Sequence, residues 1–262
     1  MESISIAPRG VAGSGAFAAL VPQLIEIASA GAPHDQYRAL SALASIGPDA
    51  APALPLLIEL LGKSAYDGSP NADEAVRVLG AIGPAAAGAV PSLIDLLASA
   101  DQRSDYAPGM APWALARIGD LRAIPALMAA AAREVDFQGP GLRAIDALRD
   151  FGRQAREAAP LLLGLLADER YGDYRHALIA ALVEIGPANG PAWEVCRAAL
   201  AAAKDESGRQ DAAQQLYRLL FSGGPPHPAA RELFAALAAD PDPEVRHQGR
   251  IALDVLDRGA AG

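Results

Sequence analysis

A five-residue phrase, Leu-x-x-Ile-Gly, recurs along this chain at a nearly constant interval, and nothing else limits the fold so strongly. It stands at Leu43–Gly47, Leu79–Gly83, Leu115–Gly119 and Leu182–Gly186, while Leu148–Gly152 differs only in having Phe151 for Ile. Two degenerate copies, both without the Gly, follow at Leu216–Leu220 and Leu253–Asp257. The leading leucines step by 36, 36, 33, 34, 34 and 37 residues. A period of that size across most of a chain marks a stacked repeat array, in which each unit buries its apolar face only against its neighbours.

Each copy has the same internal logic. A first helix (A) runs into the phrase, as in Asp173–Ile185, where polar residues are so few that burial on more than one side is expected. The Gly suits the left-handed position just past a helix end, and Pro48, Pro84 and Pro187 follow because Pro cannot continue a helix. A second helix (B) opens on Pro22, Pro55, Pro91, Pro125, Pro160 and Pro228, since a missing N–H costs little in the first turn. Helix B carries an amphipathic stripe, Leu54, Leu57, Ile58 and Leu61 in one copy and Val90, Leu93, Ile94 and Leu97 in the next. The expected fold is therefore all-α, an α-solenoid of about seven stacked two-helix repeats. A leading B helix is expected over 16–29, repeats over about 33–62, 71–99, 105–133, 139–168, 172–204 and 207–239, and a final A helix over 243–257. Residues 1–14 read as a flexible leader and 259–262 as a tail. Pro108, Gly109 and Pro112 are expected to kink or shorten one A helix.

Composition narrows the function. The chain has 22 basic against 31 acidic residues, which argues against a nucleic-acid binder or a partner on an anionic membrane, both of which call for a positive surface. Cys196 is the only cysteine, so no intrachain disulfide can form. The first residues have no apolar core of the secretory kind, and no uninterrupted apolar run of spanning length occurs. A cytoplasmic protein is the expectation.

The repeats resemble the HEAT family, especially the short bacterial HEAT-like repeats also found in phycobilisome lyase subunits. Asp240-Pro-Asp-Pro-Glu-Val-Arg246, followed by Ala252-Leu253, is similar to that family's Asp-Pro-x-x-x-Val-Arg opening and Ala-Leu close. Arg175, Arg209 and Arg246 each sit seven residues before the repeated Leu, where the family often carries Arg. The resemblance spans about residues 16–257 and implies a HEAT solenoid whose B helices line the concave face. It implies little about function, because sites are grafted onto such scaffolds.

Chemistry-bearing motifs are absent. The four histidines, His34, His176, His227 and His247, are dispersed and lack the His-Glu pairing a helical-repeat metal hydroxylase would need. There is no phosphate-binding Gly-x-x-x-x-Gly-Lys-Ser/Thr loop and no Gly-x-Ser-x-Gly elbow. Gly10–Gly15 follows no strand and reads as leader, and Cys196 reads as a small apolar filler in a helix. No cofactor or metal is expected.

Two surface patterns remain. Glu26, Glu59, Asp95 and Glu232 each fall four residues after the B-helix Pro of their copy, pointing away from the apolar stripe, whereas Ala129, Gly164 and Ala198 take that place in the intervening copies. Tyr66, Tyr106, Phe137, Tyr171 and Tyr174 lie between copies, most of them directly beside an acid. Either they form an aromatic contact edge or each ring tucks against the next repeat while the Asp caps a helix. These patterns suit a non-catalytic scaffold, adaptor or inhibitor that binds another protein through the concave B face and the inter-repeat loops, the acids suiting a basic one. The alternatives are a bilin-lyase-like enzyme or accessory, which rests on the resemblance, and a structural spacer. The oligomeric state is left open.

Overall fold

The structure, a computed structural model, describes residues 17–62, 72–100, 106–133, 140–185, 189–203, 206–220 and 227–259. The leader at 1–14, Tyr66, Phe137, the Gly186–Pro187 turn and residues 260–262 lie outside the described residues. Fourteen α-helices and no strand occur among the described residues. In chain order they are α1 (Val21–Ala30), α2 (Pro33–Ile46), α3 (Leu54–Leu61), α4 (Ala72–Ile82), α5 (Val90–Ala98), α6 (Ala107–Ile118) and α7 (Ile124–Arg133). Then come α8 (Pro140–Phe151), α9 (Ala159–Ala167), α10 (Arg175–Ile185), α11 (Asn189–Ala202), α12 (Glu206–Leu220), α13 (Ala230–Leu237) and α14 (Pro243–Gly259). Even-numbered helices are of the A kind and odd-numbered ones of the B kind.

Two layers result. In the A layer, α2 packs on α4, α4 on α6, α6 on α8, α8 on α10 and α12 on α14, while each B helix packs on the A helix that follows it. A small residue stands four before the repeated Leu in most A helices: Ala39, Ala75, Ala111, Ala144 and Ala212 are buried there, α10 has the larger Leu178, and Gly249 of α14 lies against the end of α13. The repeated leucines are the core of each unit: Leu43, Leu79, Leu115, Leu148, Leu182 and Leu216 have no exposed surface, whereas Leu253 in the last helix is only half-buried. Burial of one such side chain contributes about 2 kcal/mol. The A helices are buried on more than one side as expected, with seven of the eleven residues of α4 buried.

Helix ends follow the expected chemistry, with one refinement. Gly47, Gly83, Gly119 and Gly152 all have positive φ. Gly119 is left-handed, at φ 74° and ψ 17°, and its N–H reaches the Leu115 carbonyl. Gly47 instead adopts φ 73° and ψ −130°, a region that essentially only glycine enters. A 3-10 stretch, Gly47–Ala53 or Gly83–Ala89, then leads into the B helix. The shortening expected in α6 does not occur, because the helix runs over 12 residues. Pro108 falls in its first turn, where no intrahelical N–H is lost, and Pro112 is accommodated inside it.

Two continuous helical runs, Pro33–Leu61 and Ala72–Ala98, are long and apolar enough to cross a membrane by length and composition. Each is broken midway by a positive-φ glycine and a 3-10 stretch. The α-helices on either side, of 14, 8, 11 and 9 residues, reach at most about 21 Å, short of the roughly 30 Å hydrocarbon layer.

Candidate functional site

The B helices present one face in a strict register. Counting from the B-helix Pro, the second, fifth and sixth following residues are buried: Leu57, Leu60 and Leu61 in α3, and Leu93, Leu96 and Leu97 in α5. The apolar stripe is thus centred differently from the sequence reading, with Leu60 and Leu96 inward and Ile58 and Ile94 only half-buried. The fourth residue after the Pro is exposed in every one of these helices: Glu26, Glu59, Asp95, Ala129 and Gly164, in α1, α3, α5, α7 and α9. Ala198 and Glu232 are also exposed, on α11 and α13.

Carboxylates therefore stand on three consecutive B helices, α1, α3 and α5, and none of these helices contains a basic residue. Beyond them the same row carries Ala129 and Gly164, flanked by the half-buried apolar side chains Met128 and Leu163. Glu232 is separated from the other three acids by three B helices. Its neighbour Arg231 pairs with Asp257 on α14. The structure thus brings Glu26, Glu59 and Asp95 into one row and leaves Glu232 apart.

The aromatic residues divide. Tyr106, just before α6, is 75% exposed. Tyr171 and Tyr174 are each only 3% exposed, which corrects the contact-edge reading for both. They lie in a 3-10 segment, Glu169–Tyr174, with their rings edge to face at 6.2 Å. The Tyr171 hydroxyl donates to the Ala131 carbonyl at 3.3 Å and approaches that of Ala132 at 3.5 Å, both at the end of α7. Burial pushes the Tyr171 phenol above its ordinary pKa. Tyr171→Phe is expected to lower stability by about 1 kcal/mol, because the buried hydrogen bond from its hydroxyl to the Ala131 carbonyl is lost. Urea unfolding of the two proteins measures the difference.

Asp-x-Arg clamps went unnoticed in the sequence. Asp120 accepts the Arg122 backbone N–H at 3.0 Å and grips its guanidinium, which also donates to the Ala87 carbonyl of the preceding repeat at 3.1 Å. The Arg122 hydrogen bonds hold the Asp120 carboxyl at about 2. Asp168 and Arg170 repeat the arrangement before α10, and their hydrogen bonds lower the Asp168 pKa in the same way. The triplet Asp-x-Arg occurs four times in the sequence, at Asp101, Asp120, Asp168 and Asp173, so spacing alone does not single out the two clamps. The family-like Asp240–Arg246 segment is also a clamp. Asp242 caps α14 through the Val245 N–H at 2.8 Å and accepts from Gln210 of α12 at 3.1 Å, while Arg246 donates to the carbonyls of Asp240 and Pro241.

The tryptophans differ in exposure, Trp113 being 41% exposed. Trp193 is buried, stacked on His227 at 5.3 Å and edge-on to Phe234 at 5.6 Å. His227 Nδ1 accepts the Ala229 N–H, so its other nitrogen faces Glu194 at 3.6 Å. Trp113 lies over Gly80 of the preceding A helix, where a Cβ would come within 2.2 Å of its ring. Cys196 is buried, in keeping with a filler role. Among the described residues no group of three His, Cys, Asp or Glu side chains could hold a metal ion.

A two-layer array of helix pairs, with one layer closely stacked and the other presenting an exposed register face, defines a helical-repeat solenoid. Residues 35–63 and 111–133 match the model of the PBS lyase HEAT-like repeat. Those two segments carry HEAT-like repeats of that family. Among solved structures it is similar to human deoxyhypusine hydroxylase in complex with glycerol, at 20% identity over 92% of this chain and 97% of that one, with a TM-score of 0.40. It is also similar to the complex of CpcE and CpcF of phycocyanin lyase from Nostoc sp. PCC7120, at 19% identity over 79% of this chain and 99% of that one, with a TM-score of 0.38. No curated protein matches the sequence.

Proposed function

We propose that this chain is a non-catalytic protein-binding module, and that the row of exposed B-helix positions is its contact face. The observation that carries the reading is the register itself. Three consecutive B helices expose a carboxylate at one equivalent position, and no basic residue lies within those helices. Aligned charges of one sign on a rigid face steer an oppositely charged partner and raise its association rate more than its final affinity. The partner class is a protein with a basic surface. Capture from native lysate at low salt and at about 0.5 M, where screening shortens electrostatic reach to a few ångströms, identifies it. With that partner in hand, Glu26→Ala, Glu59→Ala and Asp95→Ala combined is expected to slow association by about tenfold at low salt. An unchanged rate and affinity sinks the reading.

A second reading, an enzyme or accessory related to bilin lyases, is favoured by the repeat-family match alone. Added bilin that neither binds nor changes its absorbance dismisses it.

A further inference from the structure

The repeats depart from their own pattern at one place in the A layer. The residue after the repeated Leu is Gly only in α4, at Gly80, and the residue two before it is aromatic only in α6, at Trp113. Ala44, Ala116 and Val183 hold the first place in other copies, and Ser41, Asp146 and Ala180 the second. The two departures meet. A Cβ on Gly80 would stand 2.2, 2.6 and 2.9 Å from three atoms of the Trp113 benzo ring, so the missing side chain makes the seat of the indole. Stacking does not call for a tryptophan there, since α2 packs on α4 and α6 on α8 without one. The seated ring remains open to solvent. Tyr106, Met110, Trp113 and Arg117 follow at spacings of 4, 3 and 4 residues and so share one side of α6. Tyr106 and Arg117 are exposed and Met110 is half-buried. On α4, Arg77 takes the place that Trp113 takes on α6.

Charge sets this patch apart from the rest of the surface. The chain has a net charge of −9, yet neither the Arg77 nor the Arg117 guanidinium has an ion-pair partner among the described residues. The neighbouring acids are engaged: Asp146 and Asp150 pair with Arg149 on α8, and Asp73 and Glu74 of α4 each have a partner. Arg143 of α8 donates to the Gly109 carbonyl at 3.3 Å, which brings a third guanidinium beside α6. We propose that this patch of α4 and α6 docks an acidic protein segment, with an apolar side chain lying on Trp113 and flanking carboxylates pairing with Arg77 and Arg117. Trp, Tyr and Arg dominate binding at protein interfaces, and a ring already seated loses little freedom on contact. A guanidinium matches a carboxylate with two parallel hydrogen bonds. The acidic surplus of the whole chain opposes a long polyanion such as nucleic acid. The patch belongs to the A layer and the carboxylate row to the B helices, so this assignment stands or falls separately from the reading above.

Titration of the full chain with the blocked peptide Glu-Glu-Phe-Glu-Glu, up to about 5 mM at low salt, tests the assignment in a range suited to a single anchor. The two indole N–H signals are followed by NMR, and Trp113→Phe tells them apart, since the chain has two tryptophans. The Trp113 signal is expected to shift to saturation while that of the buried Trp193 stays in place. Arg77→Gln and Arg117→Gln are each expected to weaken the peptide about threefold to tenfold, and Trp113→Ala at least about tenfold. Arg117 is exposed, so its variant keeps the fold and the test whatever the others do. Raising the salt to about 0.5 M should weaken binding as the arginine variants do. A Trp113 signal that does not move overturns the proposal. Equal binding of Gln-Gln-Phe-Gln-Gln, or unchanged affinity in both arginine variants, overturns it as well. A short uridine oligonucleotide that shifts Trp113 at lower concentration than the peptide also overturns it, in favour of a nucleic acid.

Discussion

Gly249→Ala will destabilise this protein by about 3 kcal/mol, although the same change in an open helix is stabilising. A Cβ on Gly249 would lie 2.4 Å from the Ala238 nitrogen, 2.7 Å from the Leu237 carbonyl carbon and 2.9 Å from the Ala238 Cα. All three are backbone atoms at the end of α13, so no side-chain rotation relieves the overlap. Either α14 moves away from α13 or the end of α13 unwinds. Both responses open the contact that holds the last helix on the array. The gain in helix propensity, about 1 kcal/mol, offsets only part of that cost. Gly164→Ala supplies the opposite sign. Gly164 is exposed in α9 with nothing within 4 Å of its would-be Cβ, so this variant should gain about 0.5–1 kcal/mol. Urea unfolding gives both numbers. Hydrogen exchange adds the location, because the Gly249 variant should lose protection in α13 and α14 before the rest of the chain. Equal and small effects at the two glycines would mean that α13 and α14 are not packed as closely as the structure has them.

How far the sequence discloses this molecule depends on whether a feature is repeated. The A and B alternation, the positive-φ glycines and the B-helix prolines recur in most copies, so each copy corroborates the others. Features made between copies were harder to read. Tyr171 looks like a loop residue beside an acid, as Tyr106 does, yet one is buried and the other exposed. What separates them is a carbonyl at Ala131, 40 residues earlier in the chain, that only stacking brings within reach of the Tyr171 hydroxyl. The same holds for Trp113 over Gly80 and for Arg122 on the Ala87 carbonyl. The acid row is intermediate. Its exposure follows from helical phase, and the structure agrees at Glu26, Glu59, Asp95 and Glu232. Its continuity is a matter of which helices are neighbours, and that confines it to α1, α3 and α5.

Truncating the repeated leucine should show where the array is held together. Leu115→Ala is expected to cost about 4 kcal/mol and Leu253→Ala only about 1. Leu115 has no exposed surface, and its helix α6 is packed between α4 and α8 in the A layer and against the B helix α5. Those neighbours are fixed from several sides and cannot collapse into the space left behind, so the cavity penalty adds to the lost transfer energy. Leu253 is half-buried on the last described helix, where water already reaches part of the side chain. In a quasi-one-dimensional array a central lesion weakens two interfaces and a terminal lesion one. The Leu115 variant should therefore split a single urea transition into two, with the segments on either side of α6 unfolding separately, and its apparent m-value should fall. The Leu253 variant should keep one transition and fray only at α14. If both variants lose the same stability in a single step, the units are more strongly coupled than nearest-neighbour packing provides, and contacts that span more than one repeat must hold the array together.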